Sequence, residues 1–492
     1  MKILISHSYF LYLDPKEAAN QKPYPPLASI TLAAWIKQEL GLDVEFYDVM
    51  FDKDPGGLAG ALRKAQPEVF ILYDDDFNFL TKMCLENMRN AIFRVLQEVP
   101  KTGLFIAHGS DASDRAEFYL RAGFDFVVHR NAEKTIVEML EIYRREKSAE
   151  PLKSLEGISY PESGRPVQKE QVRKNLPLEE APLPAWEKVD LAPYRKMWRS
   201  RHGYFSLNVS TSHGCPYRCN WCAKPLYGRS YKALSPRRAA QEFHYLAKEL
   251  QADHLWITDD IFGLKPGWLG EFADELERLS VRIPYKCQNR ADLITETSAA
   301  ELARSGCAEV WLGVESGSQK ILDAMDKDET LETIKTANRL LKLQGIQVGF
   351  FLQYGYPGEE YEDIRKTLKL LRECLPEHIG ISVSYPLKGT PFYEKVASQM
   401  GEKQNWSDSG DLALMFPGKY HPDFYRALHQ YTHHYFGFIS LLRRQSFKKR
   451  LRRLAAQYRH IPGMIKYRVQ MQKLMAPAKN GYSQPQPAGS EV

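Results

Sequence analysis

Between residues 1 and 147, short apolar runs alternate with segments of helical spacing. KILIS (2–6), DVEFYDV (43–49), VFILY (69–73), GLFIAHG (103–109) and DFVVH (125–129) read as strands. LASITLAAWIKQEL (27–40) and LAGALRKA (58–65) read as helices between them. Nearly continuous apolar strands separated by helices predict an α/β, doubly wound, Rossmann-like parallel sheet, with ligands at the strands' C-terminal ends. Residues 148–200 are rich in proline, of mixed charge and without clear periodicity, so they read as an ordered linker. From 201 to 395 a strand-then-helix unit recurs six times. The strands are SLNVS (206–210), HLWIT (254–258), PYKCQ (284–288), EVWLGV (309–314), VGFFLQ (348–353) and IGISVSY (379–385). Six units predict a partial β/α barrel rather than the closed eight-unit form, again with its site at the C-terminal strand ends. Residues 396–475 read as helical, and 476–492 as a polar, disordered tail.

Length and composition change this picture in three places. At 492 residues the chain suits two or three domains. No apolar run approaches the ~18 residues of a membrane span, and the opening MKILISHSYF lacks a signal peptide's apolar core and cleavage site. With seven cysteines and no export signal, a reducing cytoplasm is expected. The net charge of +6 is local: eleven Lys and Arg, and no acid, lie between Arg443 and Lys473, and the rest of the chain is slightly acidic. The aromatic run FYRALHQYTHHYFGFISLLRR (424–444) leads into this arm. A solvated helix, a membrane-surface helix and a nucleic-acid patch all fit a basic arm. An apolar–aromatic helix followed by a cationic one fits peripheral contact at the inner membrane face better than RNA, and nucleic acid is not expected.

The densest chemistry lies in CPYRCNWC, where Cys215, Cys219 and Cys222 have C-x3-C-x2-C spacing. Three thiolates on one short loop can hold three corners of a 4Fe–4S cube and leave the fourth iron open for a ligand. They also suit a partial zinc site with a histidine, such as nearby His213, or a chance grouping. Cys84, Cys287, Cys307 and Cys374 are scattered and read as small buried apolar residues.

Three further runs follow in order: RADLITETSAAELARSGCAEVWLGVESGSQKILDAMDKDETLETI (290–334), FFLQYGYPGEEYED (350–363) and YPLKGTPFYEKV (385–396). Together with the triplet they resemble the radical S-adenosylmethionine (SAM) superfamily, in its branch with an N-terminal cobalamin-binding-like domain, over roughly residues 1–400. The resemblance implies a 4Fe–4S cluster on the three cysteines. Its open iron would be ligated by SAM, and reductive cleavage would release a 5′-deoxyadenosyl radical. It also implies SAM contacts. Trp221 would pack on adenine, Asp259 and Asp260 would meet the amino group, and Arg290 and Glu315 with Ser316 would contact the methionine or ribose part. Gly355, Pro357, Gly358 and Glu359 would form the turn beside adenine. The residue types also have plain structural readings: a loop aromatic, a helix cap, a surface salt bridge and a tight turn. No general acid, base or nucleophile is assigned.

The resemblance further implies cobalamin on residues 1–147, with candidate contacts Asp75, Asp76, Asn78, Gly109 and Ser110. DDDFNFLTKMCLENMR (74–89) has more acids than a turn needs, although its Met83, Cys84 and Met88 also suit a core helix. The Asp-x-His-x-x-Gly signature that the cobalamin-binding fold often carries is absent from SHSYFLYLD (6–14), as it is from many members of this branch, which argues against a histidine ligand to cobalt from that motif but not against cobalamin. HGSDAS (108–113) keeps one glycine of the usual pair, and HRNAEKT (129–135) replaces an acidic-glycine turn. Methylation of an unactivated carbon is the expected reaction. Oxidative cyclisation or rearrangement of a tetrapyrrole- or lipid-like small molecule is the alternative. A flavodoxin, ferredoxin or reductase would supply electrons. A methylthio-type tRNA enzyme would need a C-terminal RNA-binding barrel and usually a second cluster, neither of which is visible. A non-enzymatic iron–sulfur protein would not require the GVES and YGYPGEE runs.

Overall fold

The computed structural model describes residues 1–74, 86–129, 132–169, 178–222, 230–440 and 459–475. Five strands, β1 (Ile3–Ser6), β2 (Glu45–Tyr47), β3 (Val69–Tyr73), β4 (Leu104–His108) and β5 (Phe126–Val128), pair in parallel in the order β2-β1-β3-β4-β5. Alternate residues bury opposite faces. Ile3, Ile5, Ile71 and Ile106 pack with the helices Leu27–Leu40 and Ala132–Glu146. Leu4, Phe70, Leu72 and Phe105 face the other way, into a core continuous with the second sheet. Burial on both faces is why these strands are apolar without alternation.

The stretch 148–200 contains more structure than a linker. Strands β6 (Ile158–Glu162) and β7 (Arg165–Lys169) form a hairpin that extends the first sheet antiparallel from β5. Its two-residue turn places Ser163 at φ 49° and Gly164 at φ 77°, the primed geometry that suits strand twist. Pro161 and Pro166 sit opposite one another in the hairpin. The helix Leu191–His202 then leads into the second sheet.

That sheet has six strands, all parallel and in sequential order: β8 (Ser206–Val209), β11 (His254–Ile257), β12 (Tyr285–Asn289), β13 (Cys307–Glu315), β14 (Gln347–Tyr354) and β15 (His378–Val383). It is an open half-barrel. A short antiparallel pair, β9 (Ser212–His213) and β10 (Lys232–Ala233), brackets the cysteine loop.

The two sheets are tied together by the segment 22–28. Trp198 Nε1 donates to the Pro23 carbonyl at 2.7 Å, and Asn208 Nδ2 donates to that of Pro25 at 3.1 Å. Tyr24 lies between Trp198 and Trp256, with ring centroids at 5.2 and 4.7 Å. The C-terminal helices Pro422–Ile439 and His460–Leu474 cross closely where Gly437 faces His460 and Gly463 faces His434. Phe424, Tyr425 and Leu428 are buried with Trp406, so much of the aromatic run assigned to a membrane face is core. No helix among the described residues is long and apolar enough to cross a membrane.

Candidate active site

The cysteine loop leaves β9 and is anchored by a residue the sequence reading passed over. Asn220, between Cys219 and Trp221, donates from Nδ2 to the Ala324 carbonyl and to Asp326 Oδ2, both at 2.8 Å. Its Oδ1 accepts from the Tyr356 hydroxyl at 2.8 Å. Its backbone bonds Met325 and Phe392. Side chain and backbone together therefore fix the loop to the segments after β13, β14 and β15.

Cys215 is buried, and Cys219 and Cys222 are half-buried. Burial raises the Cys219 thiol pKa, while Lys327 and Arg290 pull it down. Arg290, at the end of β12, reaches to 3.7 Å from Cys219 Sγ and lies over the Tyr217 ring, 3.7 Å from its centroid. These cations favour thiolates, which are the forms that bind iron. Among the described residues no three His, Cys, Asp or Glu converge as ligands of one ion would. Thiolates that bind separate irons of a cube need not converge on one point. The donor set and its cationic surround fit a cluster.

At the end of β13, Glu315 occupies the left-handed region at φ 59°, where the register with β14 shifts. A left-handed glutamate is strained, and such strain gathers at ligand sites. Its carboxylate is 4.0 Å from Lys327 Nζ, and Lys327 is 3.7 Å from Glu329. Gly313 leaves the room for this pair: a Cβ there would stand 3.0 Å from both Glu315 Oε1 and Lys327 Nζ. Glu315 is 5% exposed, and burial pushes its pKa up to about 7 against the pull of Lys327. Lys327 and Glu329 were not singled out from the sequence. Lys327 also receives Arg290 on its carbonyl at 2.9 Å, and Glu329 Oε2, the atom 3.7 Å from Lys327, is a buried acceptor without a hydrogen bond.

The other sequence candidates divide. Asp259 turns inward and accepts from Thr211 N, Thr211 Oγ1 and Ser212 Oγ at 2.5–2.7 Å, so it locks the corner that launches the cysteine loop. Its neighbour Asp260 is half-buried; burial raises the pKa of the Cys215 thiol, and the charge of Asp260 adds to the rise. The buried Ser316 hydroxyl pairs with that of Thr367 and accepts the Ser318 backbone N–H. Trp221 packs against the cluster containing Ile321, Met325, Tyr356 and Phe392, and its buried Nε1 has no hydrogen-bond partner. Gly355, at φ 79°, donates its N–H to Glu359 Oε2 at 2.6 Å. Glu359 Oε1 is buried without a partner. This turn, with Pro357 and Gly358, lines a cleft of about 300 Å³ opposite Phe416 and Lys419. The unpartnered Trp221, Glu329 and Glu359 atoms are polar sites that a bound SAM could complete.

In the first sheet, the order places a switch point between β1 and β3, where doubly wound sheets bind ligands. Asp74, after β3, accepts from Ser8 N at 2.7 Å and Ser8 Oγ at 2.8 Å. Gly109, after β4, abuts it: a Cβ there would stand 2.8 Å from Asp74 Cβ. Ser110 Oγ and Ser113 Oγ are buried and unpartnered. Asp75, Asp76 and Asn78, like Met83 and Cys84, lie outside the described residues.

Comparison with known proteins agrees with this architecture. Residues 209–371 match the model of the radical SAM superfamily. An uncharacterized methyltransferase of Pyrococcus horikoshii is 25% identical over 428 residues, covering 82% of this chain and 85% of that protein. The anaerobic magnesium-protoporphyrin IX monomethyl ester cyclase of Cereibacter sphaeroides is 22% identical over 394 residues, covering 77% of this chain and 61% of that protein. Among solved structures, the cobalamin-dependent SAM radical enzyme OxsB with aqua-cobalamin superposes with a TM-score of 0.72 at 16% identity, covering 97% of this chain and 74% of that one. The radical SAM methyltransferase TsrM of Kitasatospora setae gives 0.64 at 17% identity, covering 81% and 75%. At these identities the structures establish a shared fold. Residues 209–371 are thus a radical SAM domain, and the chain is an enzyme of the radical SAM type.

Proposed function

We propose that this enzyme methylates an unactivated carbon of a small molecule, with cobalamin held at the C-terminal edge of the first sheet. The observation that carries the cobalamin reading is the pair of buried, unpartnered hydroxyls of Ser110 and Ser113, next to Gly109 and the switch point. Similarity to a methyltransferase over most of both chains supports the reaction class. When bound, the cluster supplies the electron that cleaves SAM, and cobalamin supplies a methyl carrier.

The chain's own residues do the positioning. Cys215, Cys219 and Cys222 would hold the cluster, and Asn220 and Asp259 would keep their loop in place. Glu315 would receive the ammonium of SAM, which suits a buried carboxylate whose present cation, Lys327, stands at 4.0 Å. Arg290, Asp260 and Ser316 would complete the amino-acid end of that site, and Trp221 with the Gly355–Glu359 turn its adenine end. Gly109 and Ser110, with Asp75, Asp76 and Asn78, would contact cobalamin. A reduced flavodoxin- or ferredoxin-type donor would supply the electrons.

Similarity to the cyclase favours a second reading, oxidative ring formation without methyl transfer. Product analysis separates the two. Protein reconstituted anaerobically with iron, sulfide and hydroxocobalamin would be given SAM and a strong reductant. S-adenosylhomocysteine together with 5′-deoxyadenosine supports methyl transfer. 5′-Deoxyadenosine alone supports cyclisation and removes the methyltransferase proposal.

A further inference from the structure

The interior of the half-barrel carries a charge that the SAM site does not use. Along β11, β12 and β13, buried and half-buried residues alternate. Leu255, Ile257, Tyr285, Cys287, Val310 and Leu312 are buried in the helix-packed core. The half-buried set, His254, Trp256, Lys286, Gln288, Glu309 and Trp311, faces the open side. Strand register puts Trp256, Lys286 and Glu309 in one row, and Gln288, Trp311 and Gly349 in the next row toward the cluster.

Lys286 is the anomaly. Among the described residues its ammonium makes no hydrogen bond and has no carboxylate within 4 Å. It lies between aromatic rings, 5.1 Å from the Trp256 centroid and 5.5 Å from that of Tyr24. Such cation–π contacts hold an ammonium but leave its three donors open. The nearest acid along its row, Glu309, is engaged by the Trp311 indole N–H instead. Glu17 and Glu309 act on Lys286 only from longer range. Lys22 adds a second cation at the same mouth, and the two ammoniums disfavour each other. His254, bonded to Ser206 at 2.9 Å, is kept neutral by burial and by these two lysines.

Beside Gln288, the next row is flat and apolar. Trp311 lies over Gly349, where a Cβ would come within 2.4 Å of the indole, and stacks on Phe351 with centroids 4.5 Å apart. Gly380 extends the same surface, its Cβ position 3.3 Å from Trp311.

We propose that the half-barrel interior contains an anion site at Lys286 that binds the acidic end of an amphipathic ligand whose flat apolar body lies on Trp311 and Phe351. Lys286 precedes Arg290 by four residues along β12, so it sits about 13 Å below the cluster end of the strand. A substrate anchored there by a carboxylate or phosphate would present its far end to the SAM site. The proposal deepens the function above and depends on it only for what happens at that far end.

The test uses two fluorescent probes of matched aromatic body. 1-Anilinonaphthalene-8-sulfonate is anionic and N-phenyl-1-naphthylamine is neutral. Each is titrated into the full-length wild type, Lys286→Met and Lys286→Arg. Lys286→Met should weaken the anionic probe by about tenfold or more, the scale of a hydrogen bond to a charged group. The neutral probe should bind all three proteins alike, and Lys286→Arg should keep most of the anionic affinity. Three results would each overturn the site: no binding of the anionic probe to the wild type, equal anionic affinity in wild type and Lys286→Met, or loss of both probes together in Lys286→Met while Lys286→Arg does not restore them. Neither SAM nor the cluster enters the titration, so it fails separately from the radical SAM reading.

Discussion

Glu359 offers a sharp test of the site's electrostatics, because its burial is nearly complete and its chemistry is simple. It is 2% exposed, accepts one hydrogen bond from Gly355 N–H at 2.6 Å and leaves Oε1 buried and unpartnered. Burial pushes its pKa from 4.5 up to about 8, with Asp363 adding to the rise and Gly355 and Lys320 opposing it. The folded state therefore prefers the protonated acid. Stability from this preference is fully present below pH 4.5 and is lost as pH rises through about 8. At about 1.36 kcal/mol per pH unit, ionising Glu359 costs the fold on the order of 3–5 kcal/mol. Glu359→Gln mimics the neutral acid and can still accept from Gly355. Thermal unfolding should show wild type and Glu359→Gln alike at pH 4, with the variant more stable by about 5–10 °C at pH 9. Glu359→Ala, which orphans the Gly355 N–H, should be less stable than Glu359→Gln at both pH values by about 1–3 kcal/mol. A wild type that matches Glu359→Gln at pH 9 would refute the reasoning.

Other perturbations probe separate parts of the account. Asn220→Ala removes three side-chain hydrogen bonds, so it should cost about 2–3 kcal/mol and reduce the iron bound per chain after reconstitution, read by calorimetry and iron assay. Gly349→Ala pushes a methyl into Trp311 and should cost about 1–3 kcal/mol with a changed near-ultraviolet circular dichroism signal. Gly109→Ala sets a Cβ against Asp74. It should lower retention of hydroxocobalamin on a desalting column well below wild type while leaving iron content unchanged. Cys219→Ala should remove both the cluster absorbance and SAM cleavage.

The strands of both sheets were readable because each is short, apolar and bounded by breakers. The hairpin 158–169 was not, because Pro161 and Pro166 argue against a strand until they are seen facing each other. The candidate site was legible where residues sit beside a motif or end a strand, as with the cysteines, Arg290 and Glu315, whose cofactor roles are proposals. It was not legible where contacts are long-range: Asn220 reaches Asp326 across 106 positions, and Lys327 gains meaning only by meeting Glu315 and Arg290. Asp259, at the predicted strand end, proved to point back into the chain. Lys286 in PYKCQ carried no signal, since a lone lysine in a strand takes its surroundings from neighbouring strands.

The central claim is that three cysteines hold a cluster whose open iron binds SAM. Electron paramagnetic resonance of the reconstituted, dithionite-reduced protein tests it without any substrate. The account predicts a reduced-cluster signal that shifts when SAM is added and is lost in Cys219→Ala. A cluster signal indifferent to SAM, or one that survives in Cys219→Ala unchanged, would contradict it.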